Sequence, residues 1–184
     1  MDLIYLRHGQ TDWNKQGKLQ GRTDIPLNEN GIFGARSAGE VLSRYHFDAI
    51  YCSPLIRAQQ TLQHACPSAV PILDERLSEW SFGPLEGQPV PSDFYSHRWF
   101  FGQPPILGME QIEDVVARVC EFYAEIKQKH PQGTVLVVSH GGVSAAMHCA
   151  VYGIPKNENL SRYCLPNSMP VLFREGHPPV ILHP

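Results

Sequence analysis

Val135–Val138 is apolar without interruption, set between the turn signal Pro131-Gln132-Gly133 and the polar pair Ser139-His140. A strand with one solvated face alternates in character, so an unbroken apolar strand requires a sheet covered by helices on both sides. The flanking sequence agrees. Upstream, Ile112, Val115, Val116, Val119, Phe122, Tyr123 and Ile126 share one face of a long helix. Downstream, a helix can open at Gly141 and run to about Tyr152 before the break at Gly153.

The N-terminal half repeats this alternation. Leu3–Leu6 reads as a strand, and Ile32, Ala35, Ala38, Leu42 and Tyr45 mark the inner face of a helix opening near Asn28. Ala49–Cys52 reads as a second strand. Pro54 then suits the first turn of a helix capped by Ser53, with Leu55, Ala58, Leu62 and Ala65 facing inward. A short third strand is predicted near Pro71–Leu73 and an edge strand at Met169–Phe173. The pattern predicts a three-layer α/β/α fold around a mainly parallel sheet. A length of 184 residues suits a single domain over 1–184.

One stretch fits neither period. Between Pro84 and Gly108, Gly and Pro mix with Phe94, Tyr95, Trp99, Phe100 and Phe101. This composition predicts a long loop or lid over about 84–108. Its aromatic residues could close over a partly apolar leaving group or pack onto the core; packing suits most of them, which leaves His97 and Arg98 as the better candidates for substrate contact.

Ligands of an open parallel sheet bind beyond the carboxyl ends of its strands, so the residues just after each strand carry the functional information. The first strand ends in Arg7, His8 and Gly9; the second leads to Ser53 and, one helical turn on, Arg57. Glu79 follows the third strand, and Ser139, His140, Gly141 and Gly142 follow the apolar one. A histidine taken singly is more often a hydrogen-bonded structural residue, and an arginine on a helix is more often a surface charge. Two arginines, two histidines and a carboxylate on one rim form a different object. Guanidinium forks match phosphoryl oxygens, helix starts near Pro54 and Gly141 offer N–H groups to an anion, and a neutral imidazole can attack phosphorus. Glu79, beside Trp80 and near Phe82, is the candidate general acid.

Other chemistries fit less well. The remaining histidines form no compact ligand set, so neither a metal nor a cofactor is expected. Gly17-Lys18-Leu19 lacks the spacing of a nucleotide-cradling loop and reads as a turn. Cys52 and Arg57 are one residue too close for a cysteine-phosphatase loop, so Cys52 reads as a buried strand thiol. The five cysteines are odd in number and widely spaced, as expected of free thiols in a reducing compartment. A net charge of −3 gives no basic field for nucleic acid or an anionic membrane. No apolar run approaches the roughly 18 residues of a membrane span. Met1 leads directly into a strand, so a cytoplasmic location is expected.

Leu6-Arg7-His8-Gly9-Gln10-Thr11 with Trp13-Asn14 resembles the signature of the histidine phosphatase superfamily, in its phosphoglycerate-mutase-like branch. Further segments match in order: Gly21–Leu27, Ser53–Thr61, Leu77-Ser78-Glu79 and Val138–Gly142. The resemblance implies a phosphoglycerate-mutase-like fold in which His8 becomes transiently phosphorylated. It also implies that Arg7, Arg57 and His140 bind the phosphoryl group, that Asn14 helps to hold it, and that Glu79 protonates the leaving group. Gln20, Gly21 and Gly141 join the expected substrate contacts. The partner so implied is a small phosphorylated metabolite. Leu85 stands where the family often has Trp, and Gly108-Met109-Glu110-Gln111 replaces its usual Gly-Glu-Ser. Trp80-Ser81-Phe82-Gly83 takes the place of the Arg-rich run that grips phosphoglycerate in the mutases. A phosphomonoester phosphatase is therefore expected, with a mutase and a non-enzymatic sensor of a phosphorylated ligand as alternatives. These motifs select no particular oligomeric state.

Overall fold

In the computed structural model, which describes residues 1–183, six strands form one mixed sheet. They are β1 (Asp2–Arg7), β2 (Ala49–Cys52), β3 (Ile72–Leu73), β4 (Thr134–Ser139), β5 (Pro170–Arg174) and β6 (His177–Ile181). Their spatial order is β3-β2-β4-β1-β5-β6, with β1, β2, β3 and β4 mutually parallel and β5 and β6 antiparallel to their neighbours. The apolar strand β4 sits at the centre, as its sequence requires.

Strand alternation sorts the core into two layers. Ile4, Leu6, Leu136 and Val138 pack with Ala38 and Leu42 of α2 (Glu29–Leu42) and Ala58 and Leu62 of α3 (Ile56–Ala65). Leu3, Tyr5, Val135 and Val137 point the other way, onto α5 (Ile112–Lys129) and α6 (Gly141–Tyr152). Two short helices, α1 (Asp12–Lys15) and α4 (Phe94–His97), complete the set. Among the described residues, no helix is long and apolar enough to cross a membrane.

Several local expectations are revised. The Met169–Phe173 segment forms β5 but is not the edge; β6 lies outside it and contains Pro178-Pro179, which an edge strand tolerates because its outer N–H groups need no partner. The α3 helix begins two residues beyond Pro54, and Ser53 does not cap it. Its first amide, Ile56 N–H, goes to Asp24 Oδ1 (2.7 Å), a capping contact from 32 residues away. Tyr45 lies beyond the end of α2 and stacks on Phe47. The 84–108 segment packs against the body through its aromatics: Phe94 and Trp99 are each 2% exposed and join Trp80 and Phe82.

Candidate active site

Parallel register brings the chemistry together. Arg7 pairs with Ser139 and Cys52 with Val138, so β1, β2 and β4 end at one level. The ladder continues one step further through His8 N–H to Ser139 O (2.9 Å) and Ser53 N–H to Val138 O (3.0 Å). His8, Ser53 and His140 therefore share the rim, and the His8 and His140 rings lie 5.2 Å apart.

The His8 ring is buried, with Nδ1 2.7 Å from its neighbour's carbonyl, Gly9 O. A carbonyl only accepts, so Nδ1 carries the proton and Nε2 keeps its lone pair. Burial, followed by the Arg57 and Arg7 charges, holds the His8 pKa well below its usual value. The Gly9 N–H is taken by Thr61 Oγ1 (2.9 Å), whose hydroxyl donates to Arg57 O (2.7 Å), tying the His8 loop to α3.

Arg57 is fully buried and anchored by one edge of its guanidinium. It donates to Thr23 O (3.0 Å) and Gly21 O (2.7 Å), and burial lowers its pKa to about 10. Arg7 donates to Leu165 O (2.6 Å). Both arginines leave Nε buried without a protein partner, as does His140 at Nδ1. Ser53 accepts the Leu55 N–H (3.3 Å) and lies 2.7 Å from His140 Nε2. A hydroxyl can accept two hydrogen bonds and donate one, so Ser53 pairs with His140 Nε2 in either imidazole tautomer. Burial, then the Arg57 charge and His8, depress the His140 pKa well below its usual value.

Glu79 completes the ring of groups. Its Oε1 accepts from Trp80 N–H (2.9 Å) and Gly142 N–H (3.1 Å), so the first turn of α6 spends an amide on the carboxylate. Small residues are required here: a Cβ on Gly142 would lie 2.6 Å from Glu79 Oε1, and one on Gly141 2.7 Å from Cys164 Sγ. Asn14 and Gln20 both direct their carbonyl oxygens at Thr11, leaving their amide NH2 groups for a ligand.

Arg7, His8, Asn14, Gln20, Gly21, Arg57, Glu79 and Gly141 line a cavity of about 90 Å³, whereas His140 is fully buried and is not part of its lining. The far wall of the cavity is apolar and aromatic, built from Leu19, Phe82, Val90, Phe94, Tyr95 and Trp99, with Lys18 beside it. The structure does not bring His97 and Arg98 to this cavity. The single turn of α4 buries Phe94 and so turns His97 outward, where Nδ1 bonds Asp93 O (3.1 Å). Arg98 is held by Pro104 O (2.8 Å). Two N–H groups at the start of α3, those of Leu55 and Ile56, are also spent, on Ser53 and Asp24.

Sequence reasoning missed Cys164, Lys18 and Ser53's partnership with His140, which no local signal marked, and it placed Tyr95 only in the aromatic cluster of the lid. The Glu86 carboxylate, beside Leu85, gathers Arg22 N–H (3.0 Å), Thr23 N–H (2.9 Å) and the Thr23 hydroxyl (2.6 Å), shaping the loop that holds Arg57.

The profile of the histidine phosphatase superfamily (branch 1) matches residues 3–182. The chain belongs to that superfamily. It is 35% identical over 191 residues to phosphoserine phosphatase 1 of Hydrogenobacter thermophilus, covering 98% of this chain and 90% of the relative. A 2,3-bisphosphoglycerate-dependent phosphoglycerate mutase of Brucella melitensis is 32% identical over 191 residues, covering 94% and 91%. Among solved structures, a mycobacterial glucosyl-3-phosphoglycerate phosphatase complexed with VO3 superposes with a TM-score of 0.83 at 30% identity, covering 93% of this chain and 91% of that one. The superfamily member described here is a phosphoric monoester hydrolase with the phosphoglycerate-mutase-like α/β fold.

Proposed function

We propose that this hydrolase cleaves a small phosphorylated metabolite through a phosphohistidine at His8, without a metal. The supporting observation is a set of three buried polar atoms without a partner among the described residues: Arg7 Nε and Arg57 Nε, on side chains that line the cavity, and His140 Nδ1, on the ring beside His8. A buried donor without a partner costs about 1–3 kcal/mol. A phosphoryl group carries three oxygens that would satisfy such donors.

The chemistry then follows from the geometry. His8 Nε2 attacks phosphorus, forming the P–N bond as the P–O bond to the alcohol breaks. Glu79 gives its proton to the departing oxygen. Water next attacks the phosphohistidine, Glu79 takes its proton, the P–N bond breaks and inorganic phosphate leaves. Charge on the transferring group is met by guanidinium donors already fixed by carbonyls, so little reorganisation is needed at the moment of reaction.

The apolar far wall supports a leaving group with an apolar or flat face. Trp99 Nε1, also buried and unpartnered, favours one that offers a hydrogen-bond acceptor as well. A mutase must hold a second acidic group firmly. Apart from Arg7 and Arg57, the basic side chain lining the cavity is Lys18, and Arg22 is engaged by Glu110 (3.3 Å). Hydrolysis is therefore the better reading.

The test is 4-nitrophenyl phosphate hydrolysis in excess chelator, with acid-labile phosphate trapped in a rapid quench. Wild type turns over and traps label, whereas His8→Ala does neither. Equal rates for the two proteins would end the phosphohistidine reading.

A further inference from the structure

The segment that carries Glu79 has no ladder to hold it. Residues 78–82 lie between two 3₁₀ turns, Glu75–Leu77 and Gly83–Leu85, outside any helix or strand. A general acid must nevertheless stay within hydrogen-bond reach of the leaving oxygen, and a displacement of about 1 Å can cost roughly 10²-fold in rate. The Gly142 N–H holds the Glu79 carboxylate, and the main chain that carries it needs a support of its own.

Two residues outside the cavity lining supply that function. Arg118, on α5, donates to Arg76 O (2.5 Å) and Glu79 O (3.3 Å), gripping the main chain within the turn that precedes the acid and at the acid itself. Its Nε and Nη2 are in turn held by the Glu110 carboxylate at 2.8 and 3.2 Å. Glu110 also accepts Ser81 N–H at Oε2 (3.1 Å), donates its own N–H to Ser81 O (3.0 Å) and accepts Trp80 Nε1–H at its carbonyl (2.7 Å). Arg22 adds a second guanidinium to the same carboxylate (3.3 Å) and reaches Glu79 O (3.4 Å). The Arg118 and Glu110 side chains are 15% and 14% exposed, so this pair is largely shielded from water and salt.

The geometry points to Arg118 and Glu110 as positioning residues for Glu79: a carboxylate–guanidinium clamp that sets where the acid stands while touching neither substrate nor nucleophile. This rests on the reading of Glu79 as the general acid. It predicts a loss that depends on the leaving group. A well-stabilised aryloxide departs without proton assistance, whereas an alkoxide does not. A clamp that fixes only the acid therefore matters for alkyl phosphates and hardly for aryl ones.

The experiment compares kcat/KM of wild type, Glu79→Gln, Arg118→Met, Glu110→Gln and Glu79→Gln/Arg118→Met on 4-nitrophenyl phosphate and on a simple alkyl phosphate. This parameter reports phosphoryl transfer to His8 and is blind to the later hydrolysis of the intermediate. Arg118→Met and Glu110→Gln are expected to lose about 10- to 100-fold on the alkyl ester and no more than about threefold on the aryl ester. The double variant should lose no more on the alkyl ester than Glu79→Gln alone, because the two changes act through one group. Glu110→Gln keeps the volume and a hydrogen-bond acceptor, so it carries the test if Arg118→Met does not fold. Equal losses on both esters, or additive losses in the double variant, would overturn the clamp while leaving Glu79 as the acid. A Glu79→Gln variant that is itself indifferent to the leaving group would overturn both.

Discussion

At the scale of single residues, protonation states organise the site. Gly9 O fixes the His8 proton on Nδ1, and burial with two guanidinium neighbours keeps the ring neutral, as the proposed attack on phosphorus requires. Arg57→Ala, which removes one fixed cation, should lower kcat by about 10²–10³ with 4-nitrophenyl phosphate. Stability should report the same burial. His8 and His140 both have folded-state pKa values well below 6.5, whereas the unfolded chain protonates them near 6.5. Below that pH the unfolded state binds more protons, so stability is full above about pH 6.5 and declines as pH falls toward the folded values. Denaturant midpoints at pH 7 and pH 5 check this. The drop should be smaller in a His140→Phe variant, and an unchanged drop would reassign it to other groups.

At the scale of elements, strand ends position side chains and helix starts constrain them. Ser53, the residue after β2, shows the distinction. Ser followed by Pro is a sound local signal for a helix cap, yet β2 and β4 run parallel in a register that delivers His140 to the Ser53 hydroxyl. The helix takes Asp24 for its first amide instead. Ser53→Ala should therefore leave α3 intact by circular dichroism. It should still destabilise the fold by about 1–3 kcal/mol through an unpaired His140 Nε2, and lower kcat with it. The α3 and α5 stripes, the apolar β4 strand and the motif residues at strand ends were legible because period and spacing are local properties. The orientation of α4 was not. Five aromatics within eight residues announce burial, but a four-residue helical turn decides that Phe94 faces inward and His97 outward.

At the scale of the whole molecule, a net charge of −3 surrounds a cavity lined by Arg7 and Arg57, so its cationic character is local and is a property of the fold. Inorganic phosphate at about 100 times its Kd should stabilise the protein by about 2.7 kcal/mol. For a chain of this size that corresponds to a rise in Tm of about 5–10 °C. The rise should shrink in Arg57→Ala, and differential scanning fluorimetry would show it. Chain order and residue chemistry determined that helices would cover both faces of a sheet, and which residues would end its strands, since a hydrophobic period and a motif need only near neighbours. Folding alone decided the rest: that β6 would lie beyond β5, that Tyr95 and Trp99 would form the far wall, and that Arg118, 39 residues after Glu79, would grip its carbonyl. Such contacts join segments whose separation in sequence carries no signal. They exist because parallel pairing and core packing leave one arrangement in which these polar groups find partners.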